Sequence, residues 1–160
     1  MLVAPYPYLL LLFPATVLAR DDFRARRVEV VWLVVLGIAA LAAAWLSEGW
    51  RAMWQHTLCN ALLSVLLLGL LALWIRVRHR QPLRRFRTHW FGAGDWAMML
   101  AVAPLFSPET YIRFLLVACI AALGWWYLLR SDRRRTIPLA GFMAVTLIGY
   151  SLFRFFISWQ

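Results

Sequence analysis

Apolar residues are concentrated in six long runs that are separated by short polar connections. Each run contains 16 to 21 residues with almost no charge, and a helix needs roughly 17–25 residues to cross a bilayer. Backbone polar groups inside lipid must be satisfied within helices, so we predict an all-α polytopic membrane protein, a single domain over residues 1–160 built as a bundle of six transmembrane helices. The predicted spans are residues 2–19, 30–46, 58–75, 90–106, 114–129 and 137–157.

The composition supports a membrane protein. Hydrophobic residues make up 64% of the chain, whereas soluble domains contain about 45–50%. This excludes a disordered chain and an ordinary soluble domain. The formal net charge is +10, and all 17 basic residues are arginine. Such a charge is also typical of nucleic-acid binding, so the positions of the arginines decide its meaning.

Most arginines lie in three connections, at residues 20–27, 76–87 and 130–135. These connections follow the first, third and fifth runs and hold 14 of the 17 arginines. The positive-inside rule assigns them to the cytoplasm, so both termini are expected outside. The loops also lack the interleaved aromatic residues that stack on bases, and we expect no nucleic-acid partner.

The first run has an alternative interpretation, because residues 9–19 resemble the core of a signal peptide and Val17-Leu18-Ala19 resembles a cleavage site. No basic residue precedes this core, and the first arginine cluster follows it directly. Basic residues in that position oppose translocation of the following chain. We therefore interpret the run as the first transmembrane helix.

Common catalytic signatures are absent. The chain has no H-E-x-x-H motif and no G-x-S-x-G motif, and its three histidines have no spacing typical of a metal site. Cys59 and Cys119 lie singly within apolar runs, which indicates neither a disulfide framework nor a zinc site. We expect no metal and no organic cofactor.

Acidic residues at the cytoplasmic ends of two runs are the strongest candidates for chemistry. Asp22 follows the first run, and Asp95 lies in the fourth. Only 11 residues extend from Trp96 to Phe106, about 16 Å of helix, so the fourth run can cross only if residues 92–95 dip below the membrane surface. An ionisable group there is by default a functional hypothesis. The arginine topology places Asp22 and Asp95 on the same side at similar depth.

Two carboxylates that meet do not both ionise readily, so one keeps a proton and the pair can act as acid and base. Gly92 and Gly94 would let a substrate backbone approach closely. The spacing alone also allows a purely structural role for each aspartate. Asp95 could be the N-cap of a helix, and Asp22 could form an ion pair with Arg24 or Arg26.

Three segments resemble one known family. Residues 92–95 (GAGD) resemble the G-x-G-D motif of the type IV prepilin peptidases, which are membrane aspartyl proteases. Residues 22–28 (DFRARRV) are similar to the family's first aspartate motif, D-L-R-x-R-R-I, and residues 137–139 (IPL) are similar to the I-P-F segment before its final helix. The segments follow the family's order over nearly the whole chain.

The resemblance implies that Asp22 and Asp95 are the catalytic pair and that Gly92 and Gly94 belong to a substrate-binding loop. Asp22 is preferred to Asp21 because the R-x-R-R-V run aligns from it. The implied protein is an endopeptidase of the bacterial inner membrane that cleaves the short basic leader of prepilin-like or pseudopilin-like proteins at the cytoplasmic face. Its implied partners are that leader with its hydrophobic helix and the lipid bilayer. The chain has no room for the cysteine-bearing insert of larger members, which implies the compact, peptidase-only form.

Three departures leave alternatives open. Glu29 and Val30 replace the family's Pro-Asn, and Ala97 stands where lysine is common. The chain could therefore be an inactive relative. It could also be a transporter or an assembly scaffold whose aspartates serve as cap and ion pair. Presenilin-type proteases pair G-x-G-D with a Tyr-Asp dipeptide, which this sequence lacks.

Overall fold

The computed structural model describes residues 6–79, 92–128 and 138–157, and every regular element in these ranges is helical. A 3₁₀ segment leads directly into the first helix, and a second 3₁₀ turn follows the fourth helix. The elements in chain order are the 3₁₀ segment Tyr6–Leu11, α1 (Leu12–Ala25), α2 (Val30–Glu48), α3 (Trp50–His79), α4 (Ala93–Val102), the 3₁₀ turn Ala103–Leu105, α5 (Pro108–Leu128) and α6 (Leu139–Ile157).

Four of these helices, α2, α3, α5 and α6, are long and apolar enough to cross a membrane. Their outward surfaces carry large apolar side chains that are suited to lipid contact. The prediction of an all-α polytopic membrane protein is therefore confirmed. The other two predicted spans are shorter helices, because α1 has 14 residues and α4 has 10.

The helix ends differ from the predicted spans where polar residues occupy a helix terminus. α3 begins at Trp50 and α5 at Pro108, each several residues before the predicted start. Ser107 explains the early start of α5, because its carbonyl accepts the Tyr111 N–H at 2.8 Å. A proline at the first helical position then favours the helix. Apolar runs alone do not show such polar first turns.

Two of the predicted cytoplasmic connections, with most of their arginines, lie outside the described residues at 80–91 and 129–137. Both chain ends, 1–5 and 158–160, lie outside them as well. The location of the termini on the outer side therefore stays a prediction.

The centre of the bundle is the antiparallel pair α1 and α6, which pack closely along their lengths. Both helices place small residues in the buried core, including Ala15 and Ala19 on α1 and Ala140 and Ala144 on α6, and small residues allow helix backbones to approach closely. α5 packs on α6, and α2 packs on α4. As a result, the C-terminal end of α1 and the N-terminal ends of α4 and α6 meet at one end of the bundle.

Candidate active site

The first turn of α6 presents two free backbone donors to this end of the bundle. α6 begins directly after Pro138, whose carbonyl accepts the Phe142 N–H at 3.2 Å. The N–H groups in the first turn of a helix have no acceptor within the helix. The Ala140 and Gly141 N–H groups are such donors, and each finds an aspartate side chain.

Asp22 is held by the second of these donors. The Gly141 N–H donates to Asp22 Oδ2 at 2.6 Å, and only 6% of Asp22 is exposed. Asp22 lies beyond the apolar stretch of α1, where burial raises the pKa of its carboxyl above the ordinary value, while the Gly141 N–H and the Arg26 charge lower it. α1 ends directly afterwards, because Arg26 takes a left-handed conformation with a φ of 53°.

Asp95 is held by the first donor. The Ala140 N–H donates to Asp95 Oδ1 at 2.8 Å. Asp95 is the third residue of α4, and Gly92 is the N-cap, so the alternative that Asp95 is itself the N-cap is wrong. The side chain nevertheless folds back toward the Gly92 N–H. A carboxylate in the first turn also interacts favourably with the helix dipole, so Asp95 stabilises the start of α4 as well.

The two carboxylates therefore accept hydrogen bonds from consecutive residues of one helical turn. They are near enough to interact electrostatically. The positive end of the α6 dipole stabilises negative charge here. Two carboxylates that lie side by side at this helix end favour a state in which one is ionised and the other keeps a proton. This arrangement can perform acid and base chemistry.

The structure also distinguishes the two neighbouring aspartates of α1. Asp22 is buried against α6, whereas the Asp21 side chain is only half-buried. Asp22, and not Asp21, therefore accepts the Gly141 N–H. Electrostatic attraction between Asp22 and Arg26 is present as well, so the charge of Arg26 contributes to the site.

Two glycines allow close packing beside the aspartates. A Cβ at Gly94 would lie 2.8 Å from Val28 Cγ2, so Val28 fills the space beside this glycine. A Cβ at Gly92 would lie 3.1 Å from Asp95 Oδ2, and Gly92 itself is exposed. Gly94 thus brings the α1–α2 connection against α4, while Gly92 leaves open space next to the Asp95 carboxylate.

We predict that Gly94→Ala destabilises the protein through its overlap with Val28. Overpacking of this kind typically costs about 1–3 kcal/mol. Thermal unfolding in detergent micelles measures the effect, and adding Val28→Gly should recover part of the loss because it removes both overlapping atoms, Val28 Cγ2 at 2.8 Å and Val28 Cβ at 2.9 Å. Strict additivity of the two substitutions would contradict the predicted contact.

Residues 9–127 match the model of the type IV leader peptidase family. This range covers about three quarters of the chain and contains both aspartates. The chain belongs to this family. Membership implies a protease and confirms the resemblance found in the sequence motifs. No curated protein and no solved structure matches the chain.

α6 lies beyond the residues that match the family model, yet it supplies both anchoring donors. The sequence reasoning missed the roles of Ala140 and Gly141, because backbone N–H groups have no side-chain signature. The available signal was Pro138 directly before an apolar run, a pattern that is typical of a helix start. Ile137, the first residue of the IPL segment, lies outside the described residues.

Two of the three departures from the family motifs lie at the start of α2, and the third lies within α4. Glu29 is the N-cap of α2, and Val30 is its first residue; both are exposed. Ala97 is half-buried two residues after Asp95 in α4. None of these three positions alters the two hydrogen bonds that hold the carboxylates.

Proposed function

We propose that this family member is a membrane aspartyl endopeptidase that removes the short basic leader of prepilin-like or pseudopilin-like proteins at the cytoplasmic face of the bacterial inner membrane. Asp22 and Asp95 are the proposed catalytic residues, and Gly92 and Gly94, at the start of α4, are the proposed substrate-binding residues. The observation that carries the proposal is the pairing of the two carboxylates on the consecutive Ala140 and Gly141 N–H groups.

The proposed reaction uses one ionised and one protonated carboxyl group. The ionised group accepts a proton from a water molecule, whose oxygen attacks the carbonyl carbon of the scissile peptide bond. The protonated group gives its proton to the carbonyl oxygen, which yields a neutral tetrahedral intermediate. The carboxyl group that took the proton from water then gives it to the leaving nitrogen, while the other, now ionised, takes a proton from one hydroxyl of the intermediate. The carbon–nitrogen bond breaks, a carboxylic acid and an amine are released, and the pair returns to its starting protonation state. The two carboxyl groups supply both acid and base, so this scheme needs no metal or cofactor.

The substrate is proposed to bind through its hydrophobic helix, which packs against the bundle within the bilayer. Its leader would then extend to the end of the bundle where the aspartates lie. The exposed Gly92 beside Asp95 Oδ2 supports an approach of extended substrate backbone at this point, because a side chain would fill that space.

The proposal is tested by co-expressing the protein with candidate prepilin-like substrates and following the mobility shift of the substrate. Mass spectrometry of the product should locate the new N-terminus between the basic leader and the hydrophobic helix. A vector without the peptidase gene controls for host proteases. Intact substrates throughout, with the protein present in the membrane, would favour the inactive relative.

A further inference from the structure

Three buried polar side chains lie at the end of α4 that is distant from Asp95. They are Asn60 and Ser64 on α3 and Tyr111 on α5, and all three are fully enclosed. The Ser64 and Tyr111 hydroxyl groups are 2.7 Å apart, and Ser64 Oγ lies 2.8 Å from the Asn60 carbonyl. We call these three residues the polar clamp.

The polar clamp satisfies backbone groups that Pro104 leaves without partners. Proline has no N–H, so the carbonyl of Leu100 cannot receive its usual partner four residues later. The Ala103 N–H donates to the Leu100 carbonyl instead. In a regular α-helix it would donate to the Met99 carbonyl, which therefore needs another donor. The Tyr111 hydroxyl donates to that carbonyl at 3.0 Å.

The carbonyls of Ala103 and Phe106, which follow α4, also accept hydrogen bonds from the polar clamp. Asn60 Nδ2 donates to the Ala103 carbonyl at 2.8 Å and to the Phe106 carbonyl at 2.7 Å. Asn60 lies ten residues into α3, about 15 Å along that helix, where its surroundings are apolar. Backbone groups at membrane depth need such internal partners. The polar clamp therefore ties the C-terminal end of α4 to both α3 and α5.

We propose that Asn60 and Tyr111 are positioning residues that fix α4 along its axis and thereby hold Asp95 level with the Ala140 N–H. α4 has only ten residues, and a shift of one residue moves a helix by 1.5 Å and rotates it by 100°. Such a shift would separate Asp95 Oδ1 from its donor. The inference rests on the proposed function where it concerns catalysis, while its geometric part stands independently.

The test first measures how closely residues 22 and 95 approach each other, by a method that does not depend on catalytic activity. Asp22→Cys and Asp95→Cys are combined in a Cys59→Ala, Cys119→Ala background, and thiol cross-linkers of graded length are applied in membranes. We expect the shortest reagent that links the pair to react at least several-fold more slowly once Tyr111→Phe is added. Asn60→Leu should have a similar or larger effect.

The second measurement is leader cleavage with the native aspartates present. Tyr111→Phe should lower kcat about tenfold with little change in KM, because displacement of a catalytic group affects the chemical step. Tyr127→Phe is the matched control on α5, since Tyr127 is exposed. Thr57→Val is the control on α3, since Thr57 donates to the Met53 carbonyl of its own helix. Both controls should behave as wild type.

The outcomes separate the inference from the proposed function. Unchanged cross-linking in Tyr111→Phe and Asn60→Leu proteins, or equal losses in their controls, would overturn the positioning role. If no substrate is cleaved but cross-linking still depends on the polar clamp, the proposed function fails and the positioning role stands. Thermal unfolding of each variant shows whether a lost cross-link reflects general unfolding, which would also count against the inference.

Discussion

Asp95→Asn should abolish leader cleavage, with a fall in rate of about 10²- to 10⁴-fold, the range typical of a lost acid or base. Asparagine retains an oxygen that can accept the Ala140 N–H, which lies 2.8 Å from Asp95 Oδ1. It cannot ionise or carry the shared proton. The fold should therefore persist while the chemistry is lost. Asp22→Asn should have the same effect, because Gly141 offers it the same kind of hydrogen bond.

The measurement is the initial rate of leader removal, with the amount of membrane-inserted protein and its thermal unfolding determined for each variant. Asp21→Asn is the matched control, since it removes the same charge from the neighbouring, half-buried position. It should process substrate at close to the wild-type rate. Full processing by the Asp95→Asn protein would refute the carboxylate pair. Loss of cleavage in the Asp21→Asn protein alone would show that Asp21, and not Asp22, is the catalytic aspartate of α1.

The distribution of arginines predicted only that Asp22 and Asp95 lie on the same side of the membrane at similar depth, and their pairing was implied by the resemblance to the family motifs. The fourth span was predicted over residues 90–106, whereas α4 has only ten residues. Predictions of this kind depend on quantities that are local in sequence, namely the length of an apolar run and the charge beside it. The all-α membrane class followed from the same quantities.

Contacts between distant segments could not be predicted in this way. Asn60 bonds to carbonyls 43 and 46 residues away, and no periodicity in either segment indicates that pairing. The polar first turns of α3 and α5 were missed for a related reason. Helix starts are set by caps such as Ser107 and by packing, whereas hydropathy detects only the portion that can enter lipid.

The backbone N–H groups that hold the two aspartates could not be predicted from the sequence either. α6 holds the carboxylates through the backbone N–H groups of Ala140 and Gly141. The sequence at these two positions shows only that the residues are small. In the structure, small size has two separate consequences. Ala140 and Gly141 allow α6 to approach α1 closely, and they leave their N–H groups accessible to the carboxylates. A substitution at Gly141 can distinguish helix stability from the geometry of the aspartate pair.

Gly141→Ala should lower the rate of leader cleavage several-fold while thermal stability changes little. A Cβ at this position would lie 3.0 Å from Asp22 Oδ2 and 3.2 Å from Phe23 Cε2, so the Asp22 carboxylate must move. A displacement of 1 Å at a reacting group can cost about 10²-fold in rate, so a shift of a few tenths of an ångström should cost several-fold. Alanine also favours a helix over glycine by roughly 0.5–1 kcal/mol, which offsets the steric cost in the unfolding measurement.

Gly149→Ala provides the matched control, because it makes the same change on the same helix where no atom of the described residues lies within 4 Å of the added Cβ. It should gain the helix stabilisation and keep the wild-type rate. The comparison is made from cleavage rates and melting temperatures of both variants in the same detergent. Equal rates for the two variants would mean that the first turn of α6 does not set the position of Asp22 during catalysis. A selective loss at Gly141 would instead show that catalysis depends on how closely this turn approaches the carboxylate.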